Sequence, residues 1–127
     1  MERKSYSFNQ KGFTLIELIS VMIILSVMAS VSVKKLDLLS GTATNRAIQE
    51  SVKELNIRES LTWTNIKLSN TGWTNDGDVF SAMDTNLGAD FEWTTGPNAS
   101  GGTLRFRTTT IALTRTPSTT SSMGSWN

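Results

Sequence analysis

The acidic side chains are the residues of this sequence best suited to chemistry, because its 127 residues include no Cys and no His. Disulfides, thiolate catalysis and the commonest metal ligand are therefore excluded. Five carboxylates lie within 17 residues, at Asp76, Asp78, Asp84, Asp90 and Glu92. Carboxylate oxygens suit calcium, which makes Asp76, Asp78 and Asp84 weak candidates for a metal site. Their spacing does not match an EF-hand loop, so turn and cap residues in contact with water are the favoured interpretation.

The composition also limits the classes of function. A hydrolase without His or Cys would need a carboxylate or lysine mechanism, and no residue pattern indicates one. We therefore expect neither an enzyme nor a bound cofactor. The formal charge is +1, and the excess of bases is confined to the N-terminus, at Arg3, Lys4 and Lys11. A nucleic-acid-binding domain would carry a basic patch or stripe, so nucleic acid is not an expected partner.

Glu17 is a carboxylate of a different kind, because it is the one charged residue in the apolar run Phe13–Val33. A helix of this length spans roughly 31 Å, close to the roughly 30 Å hydrocarbon core of a bilayer. A carboxylate at that depth costs on the order of 3 kcal/mol, so it normally marks a function. A plain membrane anchor explains the length but not Glu17. A secretory signal peptide would have a shorter apolar core, with a cleavage site near Ser32.

The residues around this run resemble the N-terminus of type IV prepilins and of the pseudopilins of type II secretion systems. Lys11 and Gly12 match the end of the short basic leader in that family, and the stretch FTLIE at 13–17 matches the start of the mature chain. The resemblance extends over residues 10–33. It implies cleavage after Gly12 by the prepilin peptidase and N-methylation of Phe13 by the same enzyme.

The resemblance also implies a role in assembly for Glu17, together with Phe13 and Thr14. Cleavage would create a new amine on Phe13, and in a bundle of identical helices this amine could pair with Glu17 of a neighbouring subunit. Burying two opposite charges costs less once they are paired and hydrogen-bonded. The pair would then fix the axial register between subunits.

What the resemblance implies for the whole protein is a structural subunit of a type IV pilus-like filament. The subunit would be stored in the bacterial inner membrane as a single-pass protein with a cytoplasmic N-terminus, and would then enter a periplasmic or extracellular filament. The implied partners are other pilin or pseudopilin subunits, the prepilin peptidase, and an inner-membrane assembly platform with its ATPase. A pseudopilin or minor pilin is favoured slightly over a major surface pilin, because the short chain has no Cys for a C-terminal disulfide loop. The alternative is a monomeric, membrane-anchored binding domain that does not polymerise.

The spacing of apolar residues predicts that the helix continues beyond the membrane segment. From Arg46 to about Thr62 an apolar face containing Ile48, Val52 and Leu55 alternates with charged positions at the helical period. Poor helix formers around Gly41 predict a flexible point between the two parts. The helix should therefore be apolar all round in its first half and amphipathic in its second.

The remaining residues predict short strands and turns. Phe91 and Trp93 alternate with Glu92, and residues 104–107 alternate in the same way, which predicts a β-hairpin with one apolar face. A bulge or a turn at 108–110 should precede a third strand, and Gly/Asn-rich stretches such as 75–78 are predicted turns. Most aromatic residues should fill the core, whereas Trp126 is compatible with either a core position or an exposed contact.

These patterns together predict an α+β, pilin-like fold, in which a long N-terminal helix packs on a small antiparallel sheet. The predicted organisation is a leader at 1–12, a transmembrane and filament-core helix at 13–33, an amphipathic helix at 34–62, a β-rich domain at 63–113 and a Ser/Thr-rich tail at 114–127. The tail is expected to be disordered, with glycosylation as an open alternative.

Overall fold

The computed structural model of the chain describes Met1 and residues 12–127, so most of the predicted leader, including Arg3, Lys4 and Lys11, lies outside the described residues. The elements are α1 (Leu15–Lys67), α2 (Asp76–Ala82), β1 (Phe91–Asn98), β2 (Gly101–Phe106), β3 (Thr109–Thr116) and β4 (Ser125–Trp126). Neighbouring strands are antiparallel and form one four-stranded sheet in the order β1-β2-β3-β4. The predicted α+β, pilin-like class is confirmed.

The chain divides into two compact units, Met1–Ser40 and Gly41–Asn127. The first contains the N-terminal part of α1, whose apolar side chains are exposed along its whole length. Among the described residues, α1 is the one helix long and apolar enough to cross a membrane. The hydroxyls of Ser20, Ser26 and Ser32 donate to backbone carbonyls four residues earlier, at 2.7–2.9 Å. These serines therefore bring no unsatisfied polar group into an apolar environment.

Helix α1 is longer and more regular than the sequence predicts. It has no interruption at Gly41, where poor helix formers predict a flexible point. A glycine in a helix interior costs about 1 kcal/mol, which is small against the cooperativity of so long a helix. At the other end α1 continues past Thr62 to Lys67, because Trp63 and Ile66 are half-buried and Trp63 Nε1 donates to the Thr119 carbonyl at 2.9 Å.

The core of the second unit lies between α1 and the inner face of the sheet. Its buried apolar residues are Leu55, Met83, Leu104, Leu113 and Trp126, with Val52, Phe80, Leu87, Phe91, Trp93 and Ile111 packed against them. Two aromatic pairs cross the core, with ring centroids 4.8 Å apart for Phe91 and Phe106 and 5.8 Å apart for Trp93 and Trp126. Aromatic residues thus supply much of the apolar volume of a domain that has no disulfide.

The predicted hairpin is present, because Phe91 pairs with Phe106 and Trp93 with Leu104 in the β1–β2 register. The following turn lies at 107–108 rather than at 108–110. Arg107 has a φ of 56° and ends the β2 alternation instead of continuing it. The predicted turn at 75–78 is also wrong, since these residues form the N-terminus of α2 and its cap.

The C-terminal segment is ordered rather than a disordered tail. Residues 114–116 belong to β3, and Ser125–Trp126 forms β4 beside it. Trp126 is 1 % exposed, which settles its position in the core. The side chain of Asn56 explains part of this order: its Oδ1 accepts from the Trp126 amide at 2.7 Å and its Nδ2 donates to the Trp126 carbonyl at 2.9 Å. A side-chain amide on α1 thereby pairs with the backbone of β4 as a strand would.

Candidate functional site

The segment that precedes α1 contains the predicted processing position. Gly12, Phe13 and Thr14 are not helical, and all three are exposed, with Phe13 at 85 %. The peptide bond between Gly12 and Phe13 therefore lies in accessible, non-helical backbone. Peptidases act preferentially on backbone of this kind.

Thr14 and Glu17 form a reciprocal cap at the start of α1. Glu17 Oε2 accepts from the Thr14 backbone N–H at 2.8 Å and from its hydroxyl at 2.9 Å. In return, the Glu17 N–H donates to Thr14 Oγ1 at 3.3 Å. This is a capping box, which satisfies two backbone donors that a helix N-terminus leaves without intrahelical partners. The sequence TLIE before an apolar run is its signature, and the sequence analysis missed it.

The cap changes how Glu17 is understood. Its Oε2 is occupied within its own chain, whereas Oε1 accepts no hydrogen bond from the described residues. One carboxylate oxygen is thus oriented by the cap, and the other is open to a donor from another molecule. Glu17 can therefore serve its own helix and a neighbour at once.

The three weak calcium candidates are separated into different structural roles. Asp76 binds Arg115 and Ser118. Asp78 Oδ2 accepts from the side chains of Thr74 and Asn75 at the start of α2. Asp84 Oδ1 caps a turn by accepting from the Asn86 amide at 2.9 Å. Among the described residues, no group of three or more acidic side chains could hold a metal ion. The sequence pattern clusters these carboxylates along the chain, but the fold does not bring them together.

A cluster of buried charges joins four elements of the second unit. Arg115 on β3 donates to both oxygens of Glu59 on α1, at 2.9 Å and 2.5 Å. It also donates to both oxygens of Asp76 on α2, at 2.7 Å and 2.8 Å. Trp126 Nε1 on β4 donates to Glu59 Oε2 at 3.1 Å, and the Ser118 amide and hydroxyl donate to Asp76. We call Glu59, Asp76 and Arg115 the buried charge cluster.

The electrostatics of this cluster follow from these contacts. The hydrogen bonds from Arg115 lower the pKa of Asp76 to about 2, against the opposing effect of its partial burial. Burial would lower the pKa of Arg115, but its bonds to Asp76 and Glu59 outweigh this effect and raise it. The side chains of Arg115 and Glu59 are both 0 % exposed. Asp76 and Arg115 therefore remain charged at neutral pH, and the cluster serves to hold the fold together.

The cluster was not predicted, although one signal for it exists. Ile111 and Leu113 point into the core, and the period of two along β3 places Arg115 on the same face. A charged residue at an inward position normally has a charged partner. The pattern could therefore have indicated a buried ion pair, but not that Glu59 and Asp76 are its members.

The comparisons with known proteins bear on the N-terminal segment. Residues 7–33 match the family model described as the prokaryotic N-terminal methylation motif. The comparisons with curated proteins and with solved structures found no match. The motif is the prepilin-type signature of structural pilins and pseudopilins, not of an enzyme family, and it implies processing by the prepilin peptidase and assembly with other subunits. Residues 7–33 therefore carry the prepilin-type cleavage and methylation signature of type IV pilins and pseudopilins.

Proposed function

We propose that the protein is a structural subunit of a type IV pilus-like filament and polymerises through the N-terminal part of α1. The observation that carries this proposal is an exposed apolar helix directly after the methylation motif. Residues 18–33 carry no charge, and their apolar side chains have no cover within the described chain. Such a surface needs either lipid or other helices around it, and a filament of identical subunits supplies the second once a subunit leaves the membrane.

Processing would prepare the subunit for this step. Cleavage after Gly12 leaves Phe13 as the new N-terminus, and methylation retains its positive charge. In the assembled bundle we assign the amine of Phe13 to Glu17 Oε1 of a neighbouring subunit. The capping box supports this assignment because Thr14 holds the carboxylate at the helix start and leaves that oxygen open. Pairing offsets the cost of burying both charges away from water.

The location and the partners follow from the same proposal. The subunit waits in the bacterial inner membrane with its N-terminus in the cytoplasm, in keeping with the bases that precede the apolar run. An assembly platform with its ATPase would draw it into a periplasmic or extracellular filament. A secretion pseudopilin or minor pilin is favoured over a major surface pilin, since the second unit is small and has no disulfide loop.

Two substitutions of Glu17 test the proposal, because glutamine and alanine separate its two roles. Glu17→Gln keeps a side chain that can close a capping box but removes the charge. Glu17→Ala removes both. We expect both variants to insert in the membrane and both to lose filament assembly, since neither can pair with an amine. A Glu17→Gln variant that assembles like the wild type would refute the charge pairing and leave only the cap.

The readout is mass spectrometry of the N-terminal peptide in sheared surface material and in membranes. A methylated Phe13 terminus in the sheared fraction supports a surface pilin, and the same peptide confined to membranes supports a pseudopilus or minor subunit. If neither the wild type nor Glu17→Ala forms filaments and both stay in the membrane, the protein is instead a monomeric anchored binding domain. An uncut Met1, or a cut near Ser32, would overturn the processing step.

A further inference from the structure

Two pairs of opposite charges lie exposed on α1 in reversed order. Lys34 precedes Asp37 by three residues, just after the apolar run, and both are exposed. Glu50 precedes Lys53 by three residues, and these two side chains bond at 2.8 Å while remaining 68 % and 66 % exposed. Residues three apart lie on the same side of a helix, so each pair presents its two charges to the same neighbour. Along the chain, the first pair has a positive charge followed by a negative one, and the second pair has the opposite order.

We propose that the Lys34–Asp37 pair of one subunit docks on the Glu50–Lys53 pair of a second copy of this chain. The proposal rests on the filament function proposed above and names a contact that sets its register. When two α1 helices lie parallel and shifted by sixteen residues, Lys34 faces Glu50 and Asp37 faces Lys53. The four charges then alternate in sign around a closed ring. Lys34 and Asp37 form no ion pair within the described residues, so both are available for this contact.

Among the registers that bring these two pairs together, the order of their charges favours one direction and one shift. An antiparallel partner would place Lys34 against Lys53 and Asp37 against Glu50, and both contacts repel. A parallel shift of thirteen residues also places Asp37 against Glu50, and a shift of nineteen places Lys34 against Lys53. Subunits inserted in one membrane with the same orientation have parallel α1 helices, so the favoured direction is the one that assembly supplies.

The contact is suited to specify register rather than to provide most of the affinity. Exposed ion pairs contribute little to binding free energy, but like charges brought together in a wrong register are penalised. The exposed apolar side chains of α1 can pack at many shifts, because aliphatic surfaces are not directional. The charged residues directly after the apolar run would distinguish the proposed register from other shifts of the two helices.

Paired charge exchanges test this contact at constant net charge. Glu50→Lys with Lys53→Glu keeps an intrahelical pair between positions 50 and 53 and reverses the order of the charges that a neighbour meets. Lys34→Asp with Asp37→Lys does the same for the other pair. We expect each exchange to lower the filament fraction at least tenfold, and the four substitutions together to restore it to within twofold of wild type.

The matched control exchanges the exposed cross-strand pair Glu92 and Arg105, which lies on the outer face of the sheet. Glu92→Arg with Arg105→Glu should assemble like the wild type. Restored assembly in the fourfold variant supports the contact. Normal assembly of either single exchange, or failure of the fourfold variant while the wild type forms filaments, overturns it. If the fourfold variant fails in this way, lipid headgroups rather than a second copy would be the partner of Lys34. A wild type that forms no filament refutes the proposed function itself.

Cysteine cross-linking measures the register directly, because the chain has no native Cys. Two differently tagged full-length copies are co-expressed, one with Asp37→Cys and the other with Lys53→Cys. A disulfide requires Cα atoms within roughly 7 Å. Only the proposed shift should therefore give a disulfide-linked dimer that carries both tags. The control pairs Asp37→Cys with Arg46→Cys, two helical turns before Lys53. Cross-linking of the control but not of the test pair would overturn the proposed register.

Discussion

Replacing Arg115 with methionine should remove the interaction that joins α1, α2 and β3. The Arg115 side chain is completely buried and uses all five of its N–H donors, two on Glu59, two on Asp76 and one on the Ala99 carbonyl. Methionine fills much of the same volume but donates nothing. The carboxylate of Glu59 would be left buried, with only the Trp126 indole as a donor in the cluster.

The expected loss in the free energy of unfolding is about 3–5 kcal/mol, the usual cost of removing one partner from a buried ion pair. A domain of the size of Gly41–Asn127 has a total stability of roughly 4–13 kcal/mol at typical values per residue. The variant should therefore lose a large part of the stability of this unit, even though no apolar side chain has been removed from the core.

Urea unfolding of the full chain in detergent provides the assay. All four Trp residues lie in the second unit, so their fluorescence reports that unit alone. The matched control is Arg105→Met, which removes a partly exposed pair with Glu92 on the outer face of the same sheet and should cost less than about 1 kcal/mol. If Arg115→Met also costs less than about 1 kcal/mol, water reaches the cluster and the reasoning from burial is wrong.

Three further changes probe the same unit. Trp126→Ala should cost about 3–5 kcal/mol by urea unfolding, because the buried ring leaves a cavity, and Trp126→Phe should cost less. Gly101→Ala should destabilise by more than about 1 kcal/mol, since Gly101 has a φ of +129° and its Cβ would lie 2.1 Å from the Leu113 carbonyl oxygen; an unchanged midpoint would contradict this. The pKa of Asp76 is lowered to about 2, so its contribution is complete above about pH 4 and is lost as the pH falls toward 2. That contribution is about 2 kcal/mol, and the variant Asp76→Asn should lack this part of the acid dependence when both are unfolded between pH 5 and pH 2.

The parts of the fold that the sequence predicts are those set by neighbouring residues. Alternation at Phe91 and Trp93, and again at 104–106, was sufficient to predict the hairpin and its inner face, because both strands are close in sequence. The membrane-length helix follows from composition alone. The predicted processing position likewise comes from a contiguous motif, at residues 7–33.

The parts that were not predicted depend on contacts between distant residues. The ion pairs of Arg115 join positions 56 and 39 residues away in sequence, and nothing local to Glu59 or Asp76 marks them as partners. The Ser/Thr-rich composition of 114–127 suggested a disordered tail. Composition alone does not show that Trp126 packs in the core and orders this segment. The capping box is the exception, since the sequence TLIE is local but was interpreted only through the assembly role expected of Glu17.

The buried charge cluster and the hydrogen bonds from α1 to the C-terminal segment explain how so small a domain can be stable without a disulfide. A disulfide would close the C-terminal segment onto the rest of the domain, and small secreted domains often need one. Here Asn56 binds the backbone of Trp126, Glu59 binds its indole, and Trp63 holds the carbonyl of Thr119. All three anchoring side chains belong to α1, the same helix whose N-terminal part carries the methylation motif. The C-terminal segment is thus held by hydrogen bonds to the helix, and the fold of this unit does not depend on disulfide formation.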